Sequence, residues 1–284
     1  MQLKLHFFIF ENYNFAEILQ LMEFIGYFCA LIIGLVMGVI GGGGSILGVP
    51  VFVYIFKIGA VTATALSLFV VGTTSLVGSF GYMKQKLVNF KTALLFGIPS
   101  ILGVVFSRRL VVPNLPEIIF NKLGFVLTKD MFLLILFAIL MLISSYKMIN
   151  KINEEPLKKS DETNYTLLIS QGLLVGILTG LIGAGGGFLI VPALVMLLGM
   201  EIKQAIGTSL LIIAMNSLLG FFSAIDKVDI NWQFLLIFTS LSVVGIFSGI
   251  LISKKVNGKK LKPIFGWFIL AMGVYIILKE IFFK

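Results

Sequence analysis

The chain has 284 residues, of which 58% are apolar and 12% are charged, whereas soluble domains average about 45–50% apolar and about 25% charged residues. Its net charge of +9 lies mainly in short connections between apolar runs, a distribution that indicates membrane orientation and argues against nucleic-acid binding. The single cysteine, Cys29, excludes an intrachain disulfide. The lone histidine, His6, and the lack of any Cys/His cluster predict no metal and no cofactor.

The first half of the chain contains four long apolar runs and one short run. They are Leu21–Ile40, the short run Ser45–Phe56, Ala60–Tyr82, Thr92–Val112 and Met131–Ile149. A run of about 20 apolar residues is long enough to cross a bilayer as a helix. The residues before Leu21 are weakly patterned, and no function is predicted for them.

A charged stretch, residues 150–164, then separates this half from a second series of apolar runs. That series comprises Tyr165–Ile182, the short run Phe188–Leu198, Ala205–Ile225, Trp232–Ser253 and Pro263–Phe283. We therefore predict an all-α integral membrane protein that crosses the cell membrane several times. Its predicted parts are an N-terminal segment (1–20), a first transmembrane repeat (21–149), a cytoplasmic linker (150–164) and a second transmembrane repeat (165–284).

The second half repeats the first at a constant offset of 142 positions, with no gap. Over 34–80 and 176–222, 17 of the 47 aligned positions are identical. Shared apolar composition would not align glycines, a proline and serines in one register. The identical pairs include Gly34/Gly176, Gly38/Gly180, Gly41/Gly183, Gly44/Gly186, Pro50/Pro192, Ser67/Ser209 and Ser75/Ser217. This pattern predicts a duplicated helical unit.

Loop charge predicts how the two halves are oriented. The connection after Tyr82 carries three lysines, whereas its counterpart around 226–229 is net negative. The next connection is strongly basic in the second half, at 254–262, and of mixed charge in the first, at 108–130. Because positive loops face the cytoplasm, we predict an inverted repeat with a cytoplasmic linker and both termini outside. A parallel repeat is the alternative, since the 108–130 connection is also rather basic.

Each half has one glycine break, which follows its first long run. The breaks read Gly41-Gly42-Gly43-Gly44-Ser45 and Gly183-Ala184-Gly185-Gly186-Gly187. Unwound backbone in hydrocarbon leaves amides unpaired, so a break persists only where protein or water meets those amides. We predict that the short helices after the breaks begin inside the protein and that their positive N-terminal ends bind an anion together. Close helix packing through small residues is the alternative.

Polar side chains occupy equivalent positions in the next long run of each half. Ser67 pairs with Ser209, Thr74 with Asn216, and Ser75 with Ser217. Their hydroxyl and amide groups can donate hydrogen bonds to sulfonyl or carboxylate oxygens, although such groups also bond helix carbonyls or join neighbouring helices. The predicted substrate site therefore comprises Gly41, Gly42, Gly43, Gly44, Ser45, Ser67, Ser75, Gly183, Gly185, Gly186, Gly187, Ser209, Asn216 and Ser217.

Charged side chains are predicted to lie in loops or at the ends of the apolar runs. All 13 acidic residues fall there, so we expect no midplane carboxylate of the kind that proton relays use. Lys57, Arg108, Arg109 and Lys203 lie near run ends, where snorkelling to the headgroups is the expected role. Attraction of an anion to the mouth is the alternative for these four.

The doubled segments Gly38–Pro50 and Gly180–Pro192 carry a family resemblance. With Ala63–Ser67, Ala205–Ser209 and the pair Asn89-Phe90/Asn231-Trp232, the chain resembles the sulfite exporter TauE/SafE family of permeases from about Leu21 to Phe283. The resemblance implies transport of sulfur-containing anions such as sulfite or sulfonates in a prokaryotic inner membrane. The two motifs differ at Gly42/Ala184 and Ser45/Gly187, so the two half-sites are not identical.

These features predict a secondary transporter or permease for a small anion. An enzyme is not predicted, because no catalytic constellation is visible at membrane depth. The expected partners are a small anionic substrate and the lipid bilayer, with self-association into a homo-oligomer left open. An anion channel and a non-transporting membrane subunit are the alternative functions.

Overall fold

The structure is a computed structural model that describes residues 15–122, 125–150, 165–183, 185–256 and 258–282. Almost all of this part of the chain is helical. The first half contains α1 (Phe15–Ile40), α2 (Ser45–Pro50), α3 (Ala60–Lys84), α4 (Phe90–Phe106), α5 (Val112–Asn114) and α6 (Lys129–Asn150). The second contains α7 (Tyr165–Ile182), α8 (Gly187–Leu197), α9 (Ile202–Phe222), α10 (Trp232–Lys255) and α11 (Gly258–Phe282). Wider π-helical turns, Val51–Ile55 and Ser107–Val111, continue α2 and α4.

Five segments of the described chain are long and apolar enough to cross a membrane. They are Ala60–Lys84, Phe90–Asn114, Lys129–Tyr146, Ile202–Phe222 and Trp232–Lys255. The most apolar windows of α3 and α9 are 67% and 72% buried, against 39% for the α4 segment and 44% for α10. Helices α3 and α9 therefore form the centre of the bundle, and α4 and α10 lie nearer its periphery. The prediction of a multi-pass all-α membrane protein is confirmed.

Helix boundaries follow the sequence repeat. The 142-residue offset relates the ends of α1 and α7 and the starts of three helix pairs: Ile40/Ile182, Ser45/Gly187, Ala60/Ile202 and Phe90/Trp232. The caps are also equivalent, because the Asn89 side chain accepts a hydrogen bond from Thr92 N and Asn231 accepts one from Phe234 N, both at 3.1 Å. An N-cap of this kind contributes about 1 kcal/mol. Equivalent sequences thus form equivalent helices in the two halves.

Glycines bring helices of the two halves into close contact. Helix α1 packs along α10, where a Cβ at Gly34 or Gly38 would overlap backbone atoms of Ser242 and Ile246. The equivalent pair α7 and α4 packs in the same way, with Gly176 against the backbone of Ser100. Small residues allow this approach between membrane helices. Gly34, Gly38 and Gly176 therefore serve close packing between helices of the two halves.

The contacts also define helix directions. Positions rise together along α1 and α10, and likewise along α4 and α7, so each of these pairs is parallel. Positions run in opposite senses along α3 and α9, which cross antiparallel. The contacting residues of that central pair are Leu68 and Gly220, Gly72 and Leu218, and Tyr82 and Gly207.

Two features differ from the sequence prediction, and most of one predicted segment lies outside the described residues. Helix α1 begins at Phe15, before the predicted start at Leu21. A short antiparallel hairpin, β1 (Ile118–Lys122) and β2 (Phe125–Thr128), occupies the 108–130 connection, for which the sequence predicts only a loop of mixed charge. Its Ile, Phe and Val residues favour extended backbone. The predicted linker lies, apart from Asn150, outside the described residues.

Candidate functional site

The two glycine breaks begin in the same way. Gly41 and Gly183 adopt left-handed backbone, with φ of +76° and +73°, a conformation that glycine reaches without the Cβ penalty of other residues. Each amide still donates to the preceding helix, Gly41 N to Met37 O and Gly183 N to Thr179 O, both at 2.8 Å. Helices α1 and α7 therefore stop at equivalent points inside the bundle.

The backbones of the two breaks touch. A Cβ at Gly42 would overlap the backbone of Gly187, and a Cβ at Gly187 would overlap that of Gly42. Both glycines are buried, as is Ser45 at the start of α2. The N-terminal ends of α2 and α8, one from each half, consequently meet in the protein interior. We call this contact, residues 41–45, 183 and 185–187, the glycine junction.

Several polar side chains of α3 and α9 are buried in the bundle. Ser67, Ser75, Asn216 and Ser217 are all 0% exposed, and the Ser217 hydroxyl lies 2.8 Å from an ideal Cβ position at Gly185. Within the described residues, six buried oxygens have no hydrogen-bond partner: Ser67 Oγ, Thr74 Oγ1, Ser75 Oγ, Thr179 Oγ1, Asn216 Oδ1 and Ser217 Oγ. An unsatisfied buried polar group costs about 1–3 kcal/mol, so these six oxygens together destabilise the core more than a purely structural role would explain.

A family model described as sulfite exporter TauE/SafE matches residues 27–276 of the chain. The chain belongs to the TauE/SafE family. It is 28% identical over 272 residues to "Probable membrane transporter protein YunE" of Bacillus subtilis, covering 89% of this chain and 96% of the relative. It is 26% identical over 252 residues to a "Probable membrane transporter protein" of Xylella fastidiosa, covering 87% and 91%. No solved structure matches significantly.

A third relative shares more identity over a shorter region. "Probable membrane transporter protein MJ0441" of Methanocaldococcus jannaschii is 36% identical over 115 residues, which cover 38% of this chain and 43% of the relative. The family and the names of its members agree with the helical bundle described above. The protein is therefore a multi-pass membrane transporter of the TauE/SafE family, as the sequence resemblance predicts.

Not every predicted site residue of this TauE/SafE transporter faces the glycine junction. The Ser209 hydroxyl donates to Ile206 O of its own helix at 2.8 Å, which is the structural alternative left open for hydroxyls. Ser67 of α3 lies against Gly48, a residue of α2. A Cβ at Gly44 would meet Ile33 and Met37 of α1, and one at Gly186 would meet Thr179 of α7. Gly44 and Gly186 thus also serve helix packing.

Asn216 combines one hydrogen-bonded and one unpartnered polar atom. Its Nδ2 donates to Ser100 Oγ of α4 at 2.6 Å, whereas its Oδ1 has no partner among the described residues. The equivalent residue of the first half, Thr74, also carries an unpartnered oxygen. Equivalent positions of α3 and α9 therefore both present unsatisfied polar atoms in the centre of the bundle.

Snorkelling is the wrong expectation for Arg108. Its side chain is only 2% exposed, because the π-helical turn Ser107–Val111 carries it into the bundle, where Nη1 donates to Thr64 Oγ1 at 3.0 Å. The adjacent Arg109 is exposed. Local composition does not distinguish these two arginines. The repeat does, since Arg108 aligns with Ile250, whose position in α10 is buried.

Carboxylates lie mainly at the edges of the bundle, as expected. Of those whose side chains are described, Glu280 alone is buried, at 7% exposure. It lies close to the C-terminal end of α11 and accepts a hydrogen bond from the Tyr54 hydroxyl at 3.1 Å. No group of three or more metal-binding side chains occurs in the described parts of the chain.

Proposed function

We propose that this transporter is a secondary transporter that moves a small anion, a sulfur oxyanion or an organosulfonate, across the cytoplasmic membrane. The observation that carries the proposal is the glycine junction, where α8 and the α2 segment begin beside each other in the protein interior. Transporter sites are commonly built where discontinuous helices from two repeats meet near the bilayer midplane.

Oriented amides provide the chemical basis for an anionic substrate. The N-terminus of a helix carries about half a positive charge and several free N–H donors. The hydroxyls of Ser75 and Ser217, unpartnered within the described chain, add donors on α3 and α9. Sulfonyl oxygens accept such hydrogen bonds, and the family description, sulfite exporter, refers to an anion of this class.

We further propose that the two halves lie in inverted orientation in the membrane. The antiparallel crossing of α3 and α9 supports this arrangement, because equivalent helices of a parallel repeat would run in the same direction across the bilayer. The basic connection at 254–262 and the acidic connection around 226–229 give the same orientation through the positive-inside rule.

Flux measurements with purified protein in proteoliposomes test the transport proposal. We expect saturable movement of sulfite or sulfoacetate that protein-free vesicles lack, and no resolved current steps in planar bilayers. Saturable flux of cations alone would contradict an anion transporter. Discrete single-channel currents carried by the same anions would instead identify a channel.

A further inference from the structure

Arg108 is a buried cation whose hydrogen-bonding capacity is only partly used. Nη1 donates to Thr64 Oγ1, but Nε and Nη2 have no hydrogen-bond partner among the described residues. The side chain is 2% exposed, so bulk water does not compensate these donors. An ionisable residue inside a membrane bundle marks a substrate or ion pathway more often than a structural position.

The two free donors lie on one edge of the guanidinium. Nε–H and the outer N–H of Nη2 point in the same direction in the plane of the group, which is the edge that binds two oxygens of one oxyanion. Nη2 also lies against Gly183, where a Cβ would overlap it. The free edge of Arg108 is therefore close to the first residue of the second glycine break.

Arg108 lines a cavity together with a second cation. The cavity has a volume of about 150 Å³, and Lys129, at the start of α6, contributes to its wall with only 7% exposure. The remaining lining residues are apolar: Val61, Ala65, Val112, Pro113, Ala224 and Val228. A cavity of this volume can hold a molecule the size of benzene.

Among the described residues, the cavity lining contains no carboxylate. Asp130, next to Lys129 in the sequence, accepts a hydrogen bond from Ala60 N at 3.2 Å. Asp226 and Asp229 are exposed in the connection between α9 and α10. The cavity lining thus combines two cations with apolar side chains.

The pseudo-symmetric position in the other half carries no charge. The equivalents of Arg108, Thr64 and Gly183 in the other half are Ile250, Ile206 and Gly41. The contact geometry is preserved, since Gly41 lies against Ile206 as Gly183 lies against Thr64. Ile250 and Ile206 are buried members of the apolar core. The equivalent position is therefore occupied by an apolar side chain in one half and by a cation in the other.

We propose that Arg108 and Lys129 form a binding site for the head group of an oxyanion, adjoining Gly183 of the glycine junction. The site has no counterpart in the other half, where Ile250 replaces Arg108. This inference rests on the proposed anion transport and assigns it a residue pair outside the predicted site. The free guanidinium edge binds two oxygens of the head group, and Lys129 adds a second charge. On the proposed orientation the cavity lies at the external end of the bundle, next to the connection between α9 and α10.

Substitution by the residue of the symmetry-related position tests the site. Arg108→Ile in purified full-length protein is expected to weaken binding of methanesulfonate at least tenfold, measured by isothermal titration, and to reduce proteoliposome flux. Arg109→Gln removes one positive charge at the next, exposed position and is the matched control, with affinity expected within twofold of wild type. Dimethyl sulfone, the neutral isostere, is expected not to bind the wild-type protein.

A second variant guards against misfolding. If Arg108→Ile lowers thermal stability, Lys129→Gln replaces it, with an expected affinity loss of at least threefold and unchanged stability. Unchanged methanesulfonate affinity in folded variants at both positions would overturn the cation site while leaving anion transport standing. Wild-type protein that neither binds nor transports sulfite, methanesulfonate or sulfoacetate would instead overturn the proposed function, and this inference with it.

Discussion

Replacing Asn216 by leucine separates a role in transport from a role in folding. The substitution leaves the buried Ser100 Oγ without its hydrogen bond from Asn216 Nδ2, a loss of about 1–3 kcal/mol. It also removes the Asn216 Oδ1, whose burial without a partner in the described chain destabilises the folded state by about 1–3 kcal/mol. Because leucine has a similar volume, the free energy of unfolding is expected to change by between about −2 and +2 kcal/mol. Transport is expected to fall at least tenfold.

The assay pairs thermal unfolding in detergent with sulfite flux in proteoliposomes at matched protein density. Ser100→Ala is the control, since it breaks the same hydrogen bond but keeps the Asn216 amide. We expect Ser100→Ala to retain most of the flux. Wild-type flux in Asn216→Leu would remove Asn216 from the site. A stability loss above about 3 kcal/mol in that variant would show that the amide is mainly structural.

Three further measurements test the junction, the orientation and the coupling. Gly42→Ala is expected to destabilise the protein by at least about 1–3 kcal/mol, because the added Cβ would overlap the opposing backbone. Gly59→Ala is the control and is expected to change stability little, since among the described residues one atom lies within 4 Å of its added Cβ. Equal stabilities of the two variants would contradict the tight junction. In a cysteine-free background, an impermeant thiol reagent added outside is expected to label Lys227→Cys but not Gly258→Cys, and equal labelling would exclude inversion. Glu280→Gln is expected to keep residual flux, so complete loss in a folded variant would reveal an essential carboxylate.

The burial and backbone conformation of several predicted site residues could be inferred from sequence because these residues recur in register. Gly41 and Gly183 align in the repeat, and both stop a helix with left-handed backbone. Asn216 and Ser217 align with Thr74 and Ser75, and all four are fully buried. Duplication places equivalent residues at equivalent depths, so a polar pair conserved between halves indicates a shared environment even without a structure.

The burial of Arg108 could not be predicted from the local sequence pattern. It precedes Arg109 at the end of an apolar run, where long cationic side chains usually extend to the headgroups. Both arginines lie in the π-helical turn Ser107–Val111, where the Arg108 side chain is buried in the bundle and the Arg109 side chain is exposed. Hydropathy reports the depth of a residue along a span but not the side of the helix on which it lies.

The sequence by itself determined the membrane class, the number of repeats, most helix boundaries and the positions of the glycine breaks. These follow from local properties, namely apolar run length, a fixed offset and the backbone preferences of glycine and asparagine. The tertiary structure alone decided that Gly42 meets Gly187, that α3 crosses α9 antiparallel and that Arg108 and Lys129 line the same cavity. Those features depend on long-range packing between the halves, which the spacing of residues along one chain does not encode.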